Sequence, residues 1–155
     1  MNSIFCGSGI NLRTQNEMCS RYSAYPMVAD SLYRNTEGVE RVIFPADFNF
    51  KTGINPHPHW TPSWTDVKLA DSIILSYAKL NMKCYCKEEN KYKRQYVGTN
   101  QGIIEVYLRN TGDFLPTCNL KKFIDEINDG GCGIIYVRID LRNKELIEMQ
   151  MNGEA

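Results

Sequence analysis

One amphipathic stretch, SWTDVKLADSIILSYAKL over residues 63–80, constrains the fold most. Its apolar residues recur every three or four positions, which is the period of a helix that buries one face. They are Val67, Ala70, Ile73, Ile74, Tyr77 and Leu80. Ser63 and Asp66 stand just ahead of this pattern with the spacing of a capping box, in which side chains bind the first free N–H groups of a helix. The sequence therefore predicts a helix that begins at about Ser63.

Segments with the composition of strands lie before this helix. MVADSLYR predicts a strand, or the end of a helix that runs into a strand. RVIFPADFNF predicts a short strand or an irregular segment that stops at Pro45, because proline cannot donate to a sheet ladder. The stretch KTGINPHPHWTPSW, with one glycine and three prolines, predicts the loop that leads into the helix.

Two further β-rich runs follow the helix, GIIEVYLRN and CGIIYVRIDLRN. KELIEMQMN is placed to pair with the second run across a short turn. NLKKFIDEIND, between the two runs, predicts a brief helix that is closed by Gly130 and Gly131. Strands and helices in this order favour an α+β fold over a doubly wound parallel sheet.

The length of 155 residues predicts one domain. Residues 1–27 form a polar lead segment with one short helix around residues 15–22, and residues 28–155 form the α+β domain. The basic stretch KLNMKCYCKEENKYKRQY is interrupted by two glutamates, so we interpret it as a solvated loop or hairpin.

The charge and hydropathy of the chain exclude several classes of protein. The 18 basic and 18 acidic residues give no net charge, which argues against a dedicated nucleic-acid binder. No run reaches the roughly 18 apolar residues of a membrane span. No signal peptide is visible at the start, so we expect a cytoplasmic protein or one that is delivered into a target cell.

The six cysteines predict neither a metal site nor a disulfide scaffold. Cys84 and Cys86 are the only close pair, and a second pair at metal-ligand spacing is missing, so we predict no bound zinc. We expect mostly reduced thiols and no interchain disulfide. An exported, oxidised protein is the alternative.

Three stretches occur in an order that is typical of one enzyme family: LYRNT, HWTPSW and GIIEVYLRNTGDF. Arg34 closes the first strand, and Thr61 and Ser63 precede the helix. In this order the chain resembles the mono-ADP-ribosyltransferases of the cholera and pertussis toxin type, in which an arginine, a Ser-Thr-Ser motif and a catalytic glutamate follow one another. Thr61-Pro62-Ser63 keeps only the last serine of that motif.

The resemblance implies a fold and an activity. The fold is a pair of split antiparallel β-sheets with flanking helices. The activity is transfer of ADP-ribose from NAD, as co-substrate, to a macromolecular acceptor, a protein rather than a nucleic acid. Such a transferase acts as a toxin or effector domain of bacterial or phage origin.

The resemblance also assigns roles to residues. Arg34 contacts the phosphates or the ribose of NAD, Thr61 holds the catalytic carboxylate, and Ser63 ties the loop to the helix. Glu126 is our choice for the catalytic acid and Glu145 is the second choice, because no Glu-x-Glu or Gln-x-Glu follows the strand GIIEVYLRN. The remaining residues predicted to contact NAD, beside Arg34, are Tyr33, Asn35, Trp60 and Tyr77.

Each of these residues also has a purely structural interpretation. Ser63 serves as a helix cap, Arg34 as a solvent-exposed strand end, and Trp60 as a packing residue of the loop. Because an intact acid motif is missing, the alternative function is a catalytically inactive binding protein, such as an immunity protein or a host-factor inhibitor. The enzyme hypothesis predicts that Arg34 and residues 61–63 converge on one cleft.

Overall fold

A computed structural model describes residues 12–81, 92–110, 116–125 and 131–152. Its strands are β1 (Tyr33–Thr36), β2 (Val39–Phe44), β3 (Lys93–Gly98), β4 (Ile103–Arg109), β5 (Gly131–Asp140) and β6 (Glu145–Asn152). Its helices are α1 (Leu12–Arg21), α2 (Trp64–Asn81) and α3 (Thr117–Leu120), with a 3₁₀ turn at Asp30–Leu32. None of the helices in these ranges is long and apolar enough to cross a membrane.

The six strands form one sheet in which the spatial order follows the chain order, β1 to β6. β2 and β3 are parallel, and every other neighbouring pair is antiparallel. A parallel pair requires a long crossover connection, and α2 lies in the segment between β2 and β3. The α+β prediction is confirmed. The described strands differ from the two split antiparallel sheets that the resemblance implies, because this crossover makes one pair parallel within a single sheet.

Helix α2 covers one face of the sheet. It buries Val67, Ala70, Ile74 and Ala78, which lie along one side of the helix, as the helical period predicts. These residues pack on side chains from one face of the sheet, which alternate along the strands with side chains of the other face; they include Ile43, Tyr96, Val106, Val137 and Ile139. The predicted helix is confirmed, and its packing fixes where its first turns lie relative to β1 and β2.

A second apolar cluster covers the opposite face of the sheet. Phe44, Phe48 and Phe50 pack against one another in edge-to-face and tilted arrangements, with ring centroids 4.8–4.9 Å apart. Ile124 joins this cluster, and its carbonyl oxygen accepts a hydrogen bond of 2.8 Å from the N–H of Ile54. The sheet is therefore packed on both faces, and the loop after β2 is held against it.

Helix α1, which confirms the predicted lead helix, is attached to α3 by a disulfide between Cys19 and Cys118. The side-chain amide of Asn119 also donates to the carbonyl oxygen of Met18 at 3.2 Å. The expectation of reduced thiols is wrong for this pair, because the fold brings together two cysteines that are 99 residues apart in the chain. Cys6, Cys84 and Cys86 lie outside the described residues.

The structure corrects two sequence predictions. Residues 93–96 of the basic stretch form most of β3 in the middle of the sheet, not a solvated loop or hairpin. Their charges are compensated by distant acids, since Lys93 lies 3.1 Å from Glu40 and Arg94 lies 2.8 Å from Asp71. The helix predicted for NLKKFIDEIND ends at Leu120, because the chain then turns to pair its backbone with residues 53–54.

Candidate functional site

The start of α2 is closed by the predicted capping box. The N–H and the hydroxyl of Ser63 both donate to Oδ2 of Asp66, at 2.8 and 2.6 Å. The N–H of Asp66 donates in turn to Oγ of Ser63 at 3.2 Å. The hydroxyl of Ser63 is thus engaged in the cap, and the positive end of the helix dipole already faces a carboxylate.

Thr61 and Trp60 are engaged in holding the loop before α2. Oγ1 of Thr61 accepts a hydrogen bond of 2.9 Å from the N–H of Ala46, just after β2. The indole N–H of Trp60 donates to the carbonyl oxygen of Asn100 at 2.7 Å. Both residues therefore connect the loop to segments that directly follow strands of the sheet, Thr61 to the end of β2 and Trp60 to the turn between β3 and β4.

Arg34 lines a pocket of about 310 Å³ between β1, β2 and the first turns of α2, which we name the Arg34 pocket. Its guanidinium carbon lies 4.2 Å from the ring centroid of Trp64, the residue that follows Ser63. Arg41 lies opposite Arg34 in the register of β1 and β2, and Lys68 reaches the pocket from α2. Three cationic side chains and an indole ring therefore share one concave surface.

The only carboxylate that lines the described part of this pocket, Asp71, already has three partners within the protein: two hydrogen-bond donors and one further guanidinium at ion-pair distance. Its Oδ2 accepts from Nε of Arg41 at 2.9 Å. Its Oδ1 lies 2.8 Å from Nη1 of Arg94 and accepts from the hydroxyl of Tyr96 at 2.7 Å. Burial, followed by the charge of Asp71, raises the pKa of the Tyr96 hydroxyl well above its ordinary value, so the phenol stays a donor.

This arrangement leaves the Arg34 pocket positively charged. Two guanidinium groups share the single charge of Asp71, while Arg34 and Lys68 add two further cations. Among the described residues no carboxylate lies within ion-pair distance of Arg34. An anionic group is the chemical complement of such a surface.

The similarity to ADP-ribosyltransferases rests on the order of short motifs. No family model, curated protein or solved structure matches this chain. The candidate site is therefore assigned from the contacts of the chain's own residues.

Tyr33 and Asn35, two of the predicted NAD contacts, lie on the face of the sheet opposite Arg34. The hydroxyl of Tyr33 donates to Oε1 of Glu40 at 3.0 Å, and Lys121 lies 5.5 Å above the Tyr33 ring. Successive side chains of a strand point to opposite faces, so the two neighbours of Arg34 cannot share its pocket. Burial, followed by the charge of Glu40, raises the pKa of Tyr33.

Tyr77 and Glu145 lie far from Arg34. Tyr77 comes 13 residues after Trp64 on α2, which corresponds to about 20 Å along the helix axis. Glu145 begins β6, five strands away from β1, which corresponds to roughly 24 Å across the sheet. Neither residue lines the Arg34 pocket.

The preferred acid, Glu126, lies outside the described residues, but its neighbour Asp125 is described. The carbonyl oxygen of Asp125 accepts a hydrogen bond of 2.5 Å from the buried guanidinium of Arg109. Arg109 and Tyr107 alternate along β4 with residues that pack on α2, so Asp125 is held on the opposite face of the sheet from Arg34. Burial raises the pKa of the Asp125 carboxyl, against the opposing charge of Arg109.

The predicted site is therefore brought together only in part. Arg34 reaches the start of α2 through Trp64, but neither Thr61 nor Ser63 lines its pocket. Sequence analysis missed the residues that do line it: Arg41, Trp64, Lys68 and Asp71. One signal was present, because Trp64, Lys68 and Asp71 recur at helical spacing along a single side of α2.

Proposed function

We propose that this protein binds a phosphate-bearing ligand in the Arg34 pocket and that NAD is this ligand. The observation that carries the proposal is the charge of the pocket. Arg34, Arg41 and Lys68 line it, and both oxygens of its carboxylate, Asp71, already interact with donors of the protein. Phosphate oxygens would replace water around Arg34 and Lys68, the two cations of the pocket that do not pair with Asp71.

The donor groups suit a phosphate. A guanidinium presents paired N–H donors in a plane that matches two phosphate oxygens, and the cation–π contact with Trp64 keeps the Arg34 guanidinium at the pocket. Lys68 adds a mobile point charge from α2. The pocket volume of about 310 Å³ is at the small end of ligand sites, so it accommodates the diphosphate part of NAD better than the whole molecule.

Transfer of ADP-ribose to a protein acceptor is the enzymatic form of this proposal. It rests on the resemblance and on Glu126 as the acid. The described residues of the pocket fit the phosphates of NAD, but they offer only the fully engaged Asp71 as a carboxylate for the ribose. We therefore assign no reaction step to these residues.

Binding without transfer is the second candidate. It is favoured by the missing acid motif, since no Glu-x-Glu or Gln-x-Glu follows the strand GIIEVYLRN, and by Asp71 being the only carboxylate in the described lining of the pocket. A protein of this kind would bind its ligand as an immunity protein or inhibitor and leave it unchanged.

The fluorescence of Trp64 tests ligand binding. The chain has two tryptophans, so Trp60→Phe leaves Trp64 as the only reporter, and it lines the pocket. Titration with pyrophosphate, ADP-ribose and NAD should change the emission of Trp64 in a saturable way. Arg34→Gln, made in the same background, should weaken binding about 10-fold or more, because charge-assisted hydrogen bonds are lost.

Arg13→Gln is the matched control, because it removes one arginine whose side chain is 89% exposed on α1. It should leave the binding of all three compounds unchanged. No saturable change with any of them, or an equal loss in both arginine variants, would refute the proposal.

Release of nicotinamide from NAD separates the two candidate functions. Wild-type protein and Glu126→Gln are incubated with NAD and an acceptor protein mixture, and free nicotinamide is measured by chromatography. Release that Glu126→Gln lowers by about 10²–10³-fold supports the transferase. Binding of NAD with no release supports the inactive binding protein.

A further inference from the structure

A second and larger pocket, of about 640 Å³, lies on the other side of the start of α2. Its apolar part is formed by Trp60, Leu69 and Leu141, and its polar rim includes Gln101 and Arg142. We propose that this Trp60 pocket binds a small molecule that joins a planar apolar group to an anionic group.

The indole ring of Trp60 is fixed in place. Its Nε1–H donates to the carbonyl oxygen of Asn100 at 2.7 Å, and the backbone N–H of His59 donates to the carbonyl oxygen of Gly98 at 2.8 Å. A Cβ atom at position 98 would lie 2.6 Å from the Trp60 ring, so only glycine allows this close approach. The pocket therefore has a rigid, planar apolar wall on which a flat ring can stack.

Arg142 is held at the rim by the backbone of two turns. The N–H of Leu141 donates to the carbonyl oxygen of Gly102 at 2.9 Å, which joins the β3–β4 and β5–β6 turns. Gly102 has a φ of +79°, and a Cβ there would lie 2.6 Å from Nε of Arg142. The side chain of Arg142 thus lies directly on Gly102, so its cation is positioned before any ligand arrives.

The charges at the rim favour an anion. Within the described ranges no carboxylate forms an ion pair with Arg142. Asp66 also lines the pocket, but its Oδ2 accepts two hydrogen bonds from Ser63 and faces the positive end of the α2 dipole. The negative charge of Asp66 is therefore offset within the protein. Arg142 is exposed, and although its charge acts on nearby Asp140, its guanidinium has no ion-pair partner among the described residues.

The Trp60 pocket is separate from the Arg34 pocket. Trp64, Lys68 and Asp71 face the Arg34 pocket, whereas Asp66 and Leu69 face the Trp60 pocket. Each pocket contains one of the two tryptophans of the chain. Arg142→Gln alters only the Trp60 pocket and Arg34→Gln only the Arg34 pocket, so these variants distinguish binding at the two sites.

The test uses Trp64→Phe, in which Trp60 is the only tryptophan, and the probe 8-anilinonaphthalene-1-sulfonate. We expect saturable energy transfer from Trp60 to one bound probe per chain. N-phenyl-1-naphthylamine has the same rings and no sulfonate, so it reports the apolar contribution alone. Arg142→Gln should weaken binding of the sulfonate about 10-fold or more and change binding of the neutral amine less than about twofold.

Two further variants make the outcome decisive. Arg142→Lys keeps the cation and should recover most of the affinity for the sulfonate, and Arg13→Gln should leave it unchanged. Thermal unfolding of each variant, followed by circular dichroism, confirms that the fold is intact. Equal losses for the charged and the neutral probe, no effect of Arg142→Gln, or energy transfer that does not saturate would each overturn the proposal.

Discussion

Removal of the disulfide between Cys19 and Cys118 should lower the stability of the protein by several kcal/mol. The crosslink joins residues that are 99 positions apart, so it restricts most of the unfolded chain. In the chain-entropy treatment a loop of this size corresponds to about 4.7 kcal/mol at 25 °C. We therefore expect Cys19→Ser and Cys118→Ser to reduce the free energy of unfolding by about 3–5 kcal/mol, which is a large share of the 5–15 kcal/mol typical of a domain.

The assay is guanidinium unfolding without reducing agent, followed by circular dichroism. Either single substitution breaks the same bond, so the two single variants and the double variant should have nearly equal stabilities. Wild-type protein in dithiothreitol should match them. Noncovalent contacts of α1, such as the hydrogen bond from the side-chain amide of Asn119 to the carbonyl oxygen of Met18, are kept in every sample, so they do not enter the difference.

A decrease in the free energy of unfolding of less than about 1 kcal/mol would refute the argument that this disulfide stabilises the fold by closing a long loop in the unfolded chain. Mass spectrometry of alkylated wild-type protein must show the Cys19–Cys118 pair, and its absence under oxidising conditions would refute the premise.

Three further predictions concern single side chains. Asp71→Asn should lower the free energy of unfolding by about 3–5 kcal/mol in chemical unfolding, because it removes the negative charge that pairs with both Arg41 and Arg94 in a mostly buried setting; a loss below about 1 kcal/mol would contradict this. Gly98→Ala should lower the free energy of unfolding by about 1–3 kcal/mol and shift the emission of Trp60, since the new methyl group would overlap the indole ring. An unchanged melting temperature would contradict this, because it would show that the loop moves aside without loss of stability. Hydrogen bonds from the backbone and side chain of Asn143 lower the pKa of Asp140 in the folded protein. The ionised Asp140 carboxylate should therefore stabilise the fold fully above about pH 3.9, the ordinary pKa of an aspartate. This stabilisation should be lost as the pH falls through the lower pKa of the folded state. Carboxyl NMR titration measures that pKa directly, and a value at or above the ordinary one would contradict the assignment.

Elements with local signals were predictable from the sequence. The helical period of α2 and its cap at Ser63 depend on residues within a few positions of one another, and the structure has both. The same holds for the β5–β6 hairpin. Strand β3 was not predictable, because Lys93 and Arg94 are charged and the acids that compensate them come from distant segments.

In the candidate site, too, local features were predictable from the sequence and contacts between distant segments were not. Alternation along β1 alone shows that Tyr33 and Asn35 cannot share the face of Arg34, so this error was avoidable. Stacking of Arg34 on Trp64 was not predictable, because it depends on how α2 packs beside β1. The hydrogen bond from the N–H of Ala46 to Thr61 was likewise not predictable, because it depends on the path of the loop after β2.

The separation of Cys19 and Cys118 also has a consequence for biosynthesis. At ribosomal rates the second cysteine is added on the order of 5–20 s after the first. Cys6 precedes Cys19, and Cys84 and Cys86 are synthesised during that interval, so three other thiols exist before the native partner of Cys19 does. The native bond therefore depends on Cys19 remaining a thiol until the chain reaches α3, or on later thiol exchange that corrects an early pairing.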